Sequence, residues 1–217
     1  MEFLLDFLVA LSSGLMRTLE LLMISAPCGI ALGVFVAVLS VYGGRILSTI
    51  SRIFTATFTG FPLLVTMLLI FFGLPELGVY LGPTESAILS LVLCSGAYIS
   101  QYVRGAILSI DEGQSLAARA LGMTRAQEIL YIVLPQALRR AIPSVSNEVV
   151  YMVQYSSLAF AIGVQEMYSI SKSFNSINFR PLEIFSILAL FYLVLCASVS
   201  LLFNSIRRRF SVIESLG

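Results

Sequence analysis

Long apolar segments separated by short polar connections make up most of this chain. Five segments carry no charged residue over 17 to 24 positions, and about 20 mostly apolar residues suffice for a helix to cross a bilayer. They lie between Glu20 and Arg45, Arg52 and Glu76, Glu85 and Arg104, Glu148 and Glu166, and Glu183 and Arg207. The pattern predicts an all-α, multi-pass membrane protein with five transmembrane helices.

The ends of two of these elements can be placed more closely. Seven uncharged residues between Arg140 and Glu148 lengthen the fourth segment at its start. Pro143 fits near the entrance of that helix, because proline is favoured in the first helical turn. Residues 1 to about 12 fit a short amphipathic or interfacial lead-in. Residues 1–217 are expected to form a single transmembrane domain.

Basic residues predict how the helices are oriented in the membrane. Nine of the thirteen Lys and Arg residues fall in alternate connections or after the last segment. They are Arg45, Arg52, Arg119, Arg125, Arg139, Arg140, Arg207, Arg208 and Arg209. Because cytoplasmic connections are enriched in Lys and Arg, the N-terminus is predicted outside and the C-terminus inside. The connection over residues 111–142 then faces the cytoplasm.

The longest polar segment, residues 114–135, predicts two short helices joined at a glycine. The first helix has an apolar stripe formed by Leu116, Ala117, Ala120 and Leu121. Gly122 interrupts that stripe, and Thr124 followed by Gln127 fits a capping box that starts a second helix. The second helix is expected to end or kink at Pro135.

Composition excludes several classes of function. Apolar residues make up 58% and charged residues 12% of the chain, against roughly 45–50% and 25% in soluble domains. A net charge of +1 gives no support for nucleic-acid binding. The absence of histidine excludes a Ser-His dyad, and three distant cysteines give no metal-site spacing. No phosphate-binding loop of the form G-x-x-x-x-G-K-[ST] is present, so the chain is not expected to be an ATPase or another enzyme.

Polar residues and a proline inside the apolar segments mark candidate sites. Gly60 and Pro62 favour a locally opened second helix, and broken helices expose backbone groups to substrates in transporters. Gln101 and Arg104 share one face of the third helix. Arg104 either extends toward the cytoplasmic end near Asp111 or binds an anion such as a substrate carboxylate. Gln154, Tyr155, Ser156 and Ser157 form a polar belt in the fourth helix.

The polar segment resembles the cytoplasmic loop shared by the membrane subunits of bacterial and archaeal ABC importers. That loop reads E-A-A, three residues, G, nine residues, I-x-L-P. The matching positions are Ala117, Ala118, Gly122, Ile132, Leu134 and Pro135, and Leu116 replaces the leading acid. The resemblance implies that these seven residues dock in a groove of a separate ATP-hydrolysing subunit.

The resemblance extends across nearly the whole chain to the polar amino-acid permease group of these importers. Runs that carry it are GLMRTLEL from Gly14, TGFPLLV from Thr59, AYISQYVRGAI from Ala97 and SNEVVYMVQYSSLAF from Ser146. Within the group the chain is most similar to histidine and arginine permeases, which implies a permease subunit for polar, basic amino acids (arginine, histidine or lysine). The implied substrate site comprises Gly60, Phe61, Pro62, Gln101, Arg104, Gln154, Tyr155, Ser156 and Ser157.

The resemblance also implies a set of partners in the cell inner membrane. Two ABC ATPase subunits would bind ATP and Mg²⁺, with no cofactor in this chain. A second permease copy or a paralogous permease would complete the cavity, and an extracytoplasmic amino-acid-binding protein would deliver the substrate. Two alternatives are an importer of another polar amino acid such as glutamine or glutamate, and an ion-coupled secondary transporter using Glu148. A membrane protein without substrate would leave the loop spacing unexplained.

Overall fold

The computed structural model describes residues 2–214, which are helical almost throughout and contain no β-strand. The α-helices are α1 (Glu2–Tyr42), α2 (Gly44–Gly60), α3 (Leu63–Leu68), α4 (Pro83–Leu108), α5 (Glu112–Ala120), α6 (Arg125–Gln127), α7 (Leu134–Tyr155), α8 (Met167–Asn178) and α9 (Pro181–Glu214). Three of these α-helices continue directly into π-helical or 3₁₀-helical turns. α3 continues as a π-helix (Leu69–Gly73) and a 3₁₀ helix (Leu74–Leu77), α6 as a π-helix (Glu128–Val133), and α7 as a 3₁₀ helix (Ser156–Ile162).

The long helix α1 has no break between an interfacial lead-in and a membrane span. Its 41 residues run continuously from Glu2 to Tyr42, so the described part of the predicted lead-in over residues 1 to about 12 belongs to the same helix as the first span. Phe7 and Leu11 are fully buried in one cluster with Met167 and Ile184. Packing against α8 and α9 therefore makes the first turns part of the core rather than a surface segment.

The second predicted span is broken where the sequence places Gly60 and Pro62. α2 ends at Gly60, Phe61 is extended, and α3 starts after Pro62. The two halves, Gly44–Gly60 and Leu63–Leu77, meet at an angle of 104°. Pro62 has no backbone N–H and restricts the residue before it to extended conformations. The predicted opening of this helix is confirmed.

Three of the described helices are long and apolar enough to cross a membrane. They are Phe3–Tyr42, Pro83–Leu108 and Pro181–Arg208, and the bent pair α2–α3 makes a fourth if it counts as one span. The fourth predicted span corresponds to α7, which carries Arg139, Arg140 and Glu148 and does not reach the same apolar character. The number of five spans and their orientation stay predictions.

Two prolines lie inside a continuous helical region. Pro143 is inside α7 rather than at its entrance, which corrects its predicted position. The helix that starts at Thr124 does not end at Pro135, and the kink predicted there as the alternative stays a prediction. The helix passes through the π-helix into α7, with Pro135 in the first turn of α7. A proline ring collides with the carbonyl four residues earlier, and the wider π-turn before Pro135 relieves that crowding.

The centre of the fold is the close approach of α1 and α4. A Cβ atom built on Gly33 would lie 2.6 Å from the Ile99 side chain, and one on Gly96 would lie 2.9 Å from Leu32. Only glycine permits this separation, as in other membrane helix pairs with small residues at the interface. α7 packs on α4 through the buried Val149, Met152 and Val153. This packing fixes the positions of α4 and α7, which carry side chains of the candidate site.

Candidate functional site

A cavity of about 390 Å³ opens at the break between α2 and α3. Gly60, Phe61 and Pro62 form one side of it, and α4 and α7 form the other. The side chains from the two long helices include Cys94, Tyr98, Glu148, Met152 and Tyr155. The Tyr98 hydroxyl donates a hydrogen bond over 3.3 Å to the carbonyl of Thr59. The break therefore places the backbone of residues 59–62 and polar side chains around one space, which we name the bend cavity.

Glu148 is the charged group of the bend cavity. It is 4% exposed, and the hydroxyl of Tyr102 donates to its carboxylate over 3.4 Å. A buried carboxylate with one neutral donor favours a cationic partner. From the sequence alone, Glu148 was a candidate only for ion coupling and lay outside the predicted substrate site. Its isolation among uncharged residues of the fourth segment was the signal that would have found it.

A second cavity, of about 380 Å³, lies between α1, α2 and α4. Its lining contains Arg52, Gln101 and Arg104 together with the small polar residues Ser40, Thr55 and Ser100. No carboxylate is among these described lining residues, so we name it the arginine cavity. Gln101 and Arg104 face the same space, as their spacing predicts. None of the described ion pairs joins Arg104 to Asp111 or Glu112, and both interpretations of Arg104 stay predictions.

The four residues of the polar belt at the end of α7 do not lie on one surface. Tyr155 lines the bend cavity and stacks on Tyr151, with ring centroids 5.9 Å apart. The buried Ser156 donates to the Val153 carbonyl, and Ser157 donates to the Gln154 carbonyl, each over 2.7 Å. Gln154 points toward Cys196 of α9, at 4.0 Å. Only Tyr155 of these four predicted residues reaches the bend cavity, because local hydrogen bonds occupy the serine hydroxyls.

The polar segment over residues 111–142 has the hinged form that its sequence predicts. Asp111 caps α5 by accepting from the Gly113 N–H over 2.7 Å. Gly122 adopts a positive φ of 79°, a conformation that glycine accepts without strain. The capping box is present: the Thr124 N–H donates to Gln127 over 2.8 Å, and the Gln127 N–H donates back over 3.4 Å.

The predicted ATPase-coupling residues divide into an exposed and a buried group. On α5 and at the hinge, Leu116, Ala117 and Gly122 are exposed, while Ala118 is buried. The neighbouring Leu121 is 83% exposed. Ile132, Leu134 and Pro135 are partly buried at the junction with α7. An apolar surface on α5 is therefore presented outward, and the end of the motif joins it to a long helix.

One carboxylate, Glu128, is enclosed beneath this surface. Arg125 lies 2.8 Å from one carboxylate oxygen and Arg119 lies 3.8 Å from the other. The pKa of the Glu128 carboxyl is lower than its ordinary value, because the Ser115 hydroxyl and the two arginines favour the charged form more than burial disfavours it. Glu128 was not among the residues predicted from the sequence, because nothing in the local pattern shows that its side chain is buried.

Comparison with known proteins decides the family. A profile described as "Binding-protein-dependent transport system inner membrane component" matches residues 29–212. The chain belongs to this family. The permease is thus a multi-pass inner-membrane protein, and its predicted resemblance to ABC importer permeases of the amino-acid group is confirmed.

Relatives of this permease cover nearly its whole length. It is 32% identical over 205 residues to the glutamine transport system permease protein GlnP of Escherichia coli, covering 94% of each chain. It is 35% identical over 193 residues to the nopaline transport system permease protein NocM of Agrobacterium fabrum, covering 84% of the permease and 80% of NocM. A third relative is the L-cystine transport system permease protein TcyL of Bacillus subtilis, 31% identical over 194 residues and covering 86% and 81% of the two chains.

Solved structures show the same fold. A chain of an amino acid ABC transporter with histidines superposes with a TM-score of 0.85 at 29% identity, covering 95% of this chain and 96% of that one. A chain of the MetNI methionine ABC transporter in an inward-facing conformation gives a TM-score of 0.79 at 24% identity, with 94% and 97% coverage. The permease therefore has the transmembrane fold of a type I ABC importer.

Proposed function

We propose that this permease is the membrane path of an ATP-driven importer for a polar, basic amino acid. The observation that carries the proposal is the pair of cavities of opposite charge along α4. Glu148 lies in the bend cavity, and Arg52 and Arg104 lie in the arginine cavity. Tyr98 and Arg104 are six positions apart on α4, which corresponds to about 9 Å along the axis. A basic amino acid carries a carboxylate, which suits the arginine cavity, and a cationic side chain, which suits Glu148 in the bend cavity.

Each predicted substrate residue has a place in this proposal. Arg104 and Gln101 would receive the carboxylate, since a guanidinium offers a planar fork of donors to it. Glu148 would receive the cationic end of the substrate, and Tyr155, Phe61 and the backbone around Gly60 and Pro62 would line the passage. Gln154, Ser156 and Ser157 would act indirectly by holding the end of α7.

The exposed surface of α5 and the hinge at Gly122 would contact the partner ATPase. Two such subunits would bind ATP and Mg²⁺ and close on each other. Residues 111–142 would act as the coupling loop of a single domain over residues 1–217. Its junction with α7 at Leu134 and Pro135 would transmit the closing movement of the ATPase subunits to α7, which carries Glu148. A second permease copy or a paralogue would enclose the path, and an extracytoplasmic binding protein would deliver the substrate.

A neutral polar amino acid such as glutamine is the second candidate. The relative GlnP, named for glutamine transport, matches 94% of the chain. The arginine cavity also offers the Gln101 amide and the hydroxyls of Thr55 and Ser100, which suit a side-chain amide. Family membership favours ATP-driven import over ion-coupled transport with Glu148 as the coupling acid.

Competition for uptake tests the choice between these substrates. The permease would be reconstituted in proteoliposomes with its ATPase subunits and binding protein, and a labelled amino acid would be competed with arginine, lysine, histidine, glutamine and glutamate. The proposal expects ATP-dependent uptake of a cationic amino acid, with glutamate the weakest competitor. Uptake of glutamine unaffected by excess arginine or lysine would contradict the basic specificity. Transport driven by an ion gradient without ATP would contradict the importer itself.

A further inference from the structure

Glu128 occupies a place in the coupling loop that the proposed function does not use. Its side chain has no exposed surface, although Gln127 before it is exposed and Ile129 after it is only partly buried. It is the first residue of the π-helix that runs to Val133. Its own N–H donates to the Thr124 carbonyl over 2.9 Å. The carboxylate therefore points inward, from the second arm of the hinge, under the first arm.

One of the two ion pairs of Glu128 crosses the hinge, and the other stays on the second arm. Arg119 belongs to α5, before Gly122, and Arg125 belongs to α6, after it. The carboxylate contacts both guanidiniums, at 3.8 Å and 2.8 Å respectively. Gly122 lies between the two helices, and the Cβ position built on it has no neighbour within 4 Å. Of the two ion pairs, the one between Glu128 and Arg119 crosses the joint, and it restricts the angle between α5 and the helix that begins at Arg125.

The same cluster reaches the end of the first long helix. The Arg125 guanidinium lies over the ring of Tyr42 at 4.8 Å from its centroid, and Tyr42 is the last residue of α1. A guanidinium at this distance from an aromatic face is attracted to it. Contacts therefore run from α5 through Arg119, Glu128 and Arg125 to α1. The chain also continues from Glu128 through the π-helix directly into α7.

We propose that Glu128 is a positioning residue that locks the two arms of the coupling loop at a fixed angle, so that movement of α5 reaches α1 and α7. The inference rests on the proposed function, in which α5 contacts the ATPase. At the start of the loop motif this chain has the exposed Leu116 rather than an acid. Glu128 instead places its charge inside the loop, where it contacts arginines of the same chain.

The test compares transport with ATP hydrolysis in the reconstituted complex. Glu128→Gln keeps the size of the side chain and removes the charge that holds Arg119 and Arg125. We expect the ATPase subunits to remain bound and to hydrolyse ATP, while the maximal uptake rate falls by about fivefold or more, the lower range of coupling between sites. The substrate KM should stay unchanged. The ATP consumed for each substrate molecule then rises by the same factor.

Two further variants keep the result interpretable. Arg119→Gln removes the ion pair between Glu128 and α5 and leaves the Glu128–Arg125 pair at 2.8 Å, so it tests the lock even if Glu128→Gln fails to fold. Glu20→Gln is the matched control, because Glu20 pairs with Arg17 at the same i,i+3 spacing but in an exposed position. We expect Arg119→Gln to raise the ATP-to-substrate ratio and Glu20→Gln to leave it unchanged.

The outcomes separate this inference from the proposed function. A wild-type ATP-to-substrate ratio in Arg119→Gln would overturn the positioning role of Glu128, as would loss of the ATPase from a folded Arg119→Gln complex, which would make the cluster part of the docking surface. Failure of the wild-type permease to bind any ATPase would instead overturn the proposed function. A raised ratio with unchanged KM in Arg119→Gln, absent in Glu20→Gln, supports the lock.

Discussion

The hydroxyl of Tyr98 on α4 donates a hydrogen bond to the backbone carbonyl of Thr59, one residue before the end of α2. This carbonyl lies at the break caused by Pro62, where helical partners for the backbone are missing. A membrane protein must satisfy such a group from a neighbouring helix or a water-lined cavity. The Tyr98–Thr59 contact therefore holds the bend in place beside the bend cavity.

Replacing Tyr98 by phenylalanine removes this contact and little else. We expect Tyr98→Phe to lower the stability of the purified permease by roughly 0.6–1 kcal/mol, the usual contribution of such a hydrogen bond. The loss would be measured as a lower thermal unfolding temperature in detergent. Tyr80→Phe is the control, because Tyr80 is largely exposed in the connection before α4. Equal unfolding temperatures for Tyr98→Phe and the wild type would show that the hydrogen bond does not hold the bend.

Glu148 should determine whether cationic amino acids are accepted. Glu148→Gln keeps the shape of the side chain but removes its charge. Because a hydrogen bond to a charged group contributes about 1.5–3 kcal/mol, the KM for a basic amino acid should rise about tenfold or more. The KM for glutamine should change much less. Initial uptake rates over a range of substrate concentrations measure both values.

The control for Glu148 is Glu85→Gln, which changes an exposed acid at the start of α4. It should transport like the wild type. An unchanged KM for arginine and lysine in Glu148→Gln would remove Glu148 from the substrate path.

Arg104 should be required for uptake without being required for assembly. Arg104→Ala removes one of the two guanidiniums of the arginine cavity. If Arg104 pairs with the substrate carboxylate in the assembled importer, losing that partner costs about 2 kcal/mol or more, so uptake should fall about 30-fold or more. Co-purification of the ATPase should be unchanged. Arg45→Ala, at an exposed position outside both cavities, is the control, and wild-type uptake by Arg104→Ala would support the alternative in which Arg104 extends toward the cytoplasm.

Gly122 should resist substitution because of its backbone conformation alone. Its φ of 79° is costly for an L-residue, by about 1–2 kcal/mol, and the Cβ of an alanine there would meet no neighbouring atom. Gly122→Ala should therefore lower the unfolding temperature, as measured by thermal denaturation. Gly105→Ala is the matched control, since its Cβ also meets no neighbour but the residue lies inside helix α4. It should be neutral or slightly stabilising, and a Gly122→Ala protein as stable as the Gly105→Ala protein would contradict the hinge geometry.

Structural features that depend on a few neighbouring residues were predictable from the sequence. The capping box depends only on Thr124 and Gln127, and the hinge depends on Gly122. The break at Pro62 follows from a missing N–H and from steric restriction of the preceding residue. The loop spacing also predicted the family, because six matching positions over a short segment carry it.

Features that depend on packing were not predictable in the same way. The helix α8 was missed because its position is set by buried contacts of Met167 with α1 and α9. Pro143 was placed at a helix entrance because proline chemistry disfavours a helix interior, and the surrounding helices override that preference. The pairing of Glu148 with Tyr102 joins positions 46 residues apart, which a single sequence does not reveal. Ser156 and Ser157 entered the predicted substrate site through the family resemblance, and the sequence does not show that their hydroxyls bond to carbonyls of their own helix.

Photo-cross-linking from position 121 tests whether a separate ATPase docks on α5 and moves this permease. A photoreactive amino acid would replace Leu121, which is 83% exposed on the coupling loop, and in a second protein Leu77, which is 79% exposed at the far end of the broken helix. After illumination of actively importing cells, linked proteins would be identified by mass spectrometry. The account predicts a P-loop ATPase linked to position 121 and absent from position 77. An importing cell in which position 121 links to no nucleotide-hydrolysing protein would contradict it.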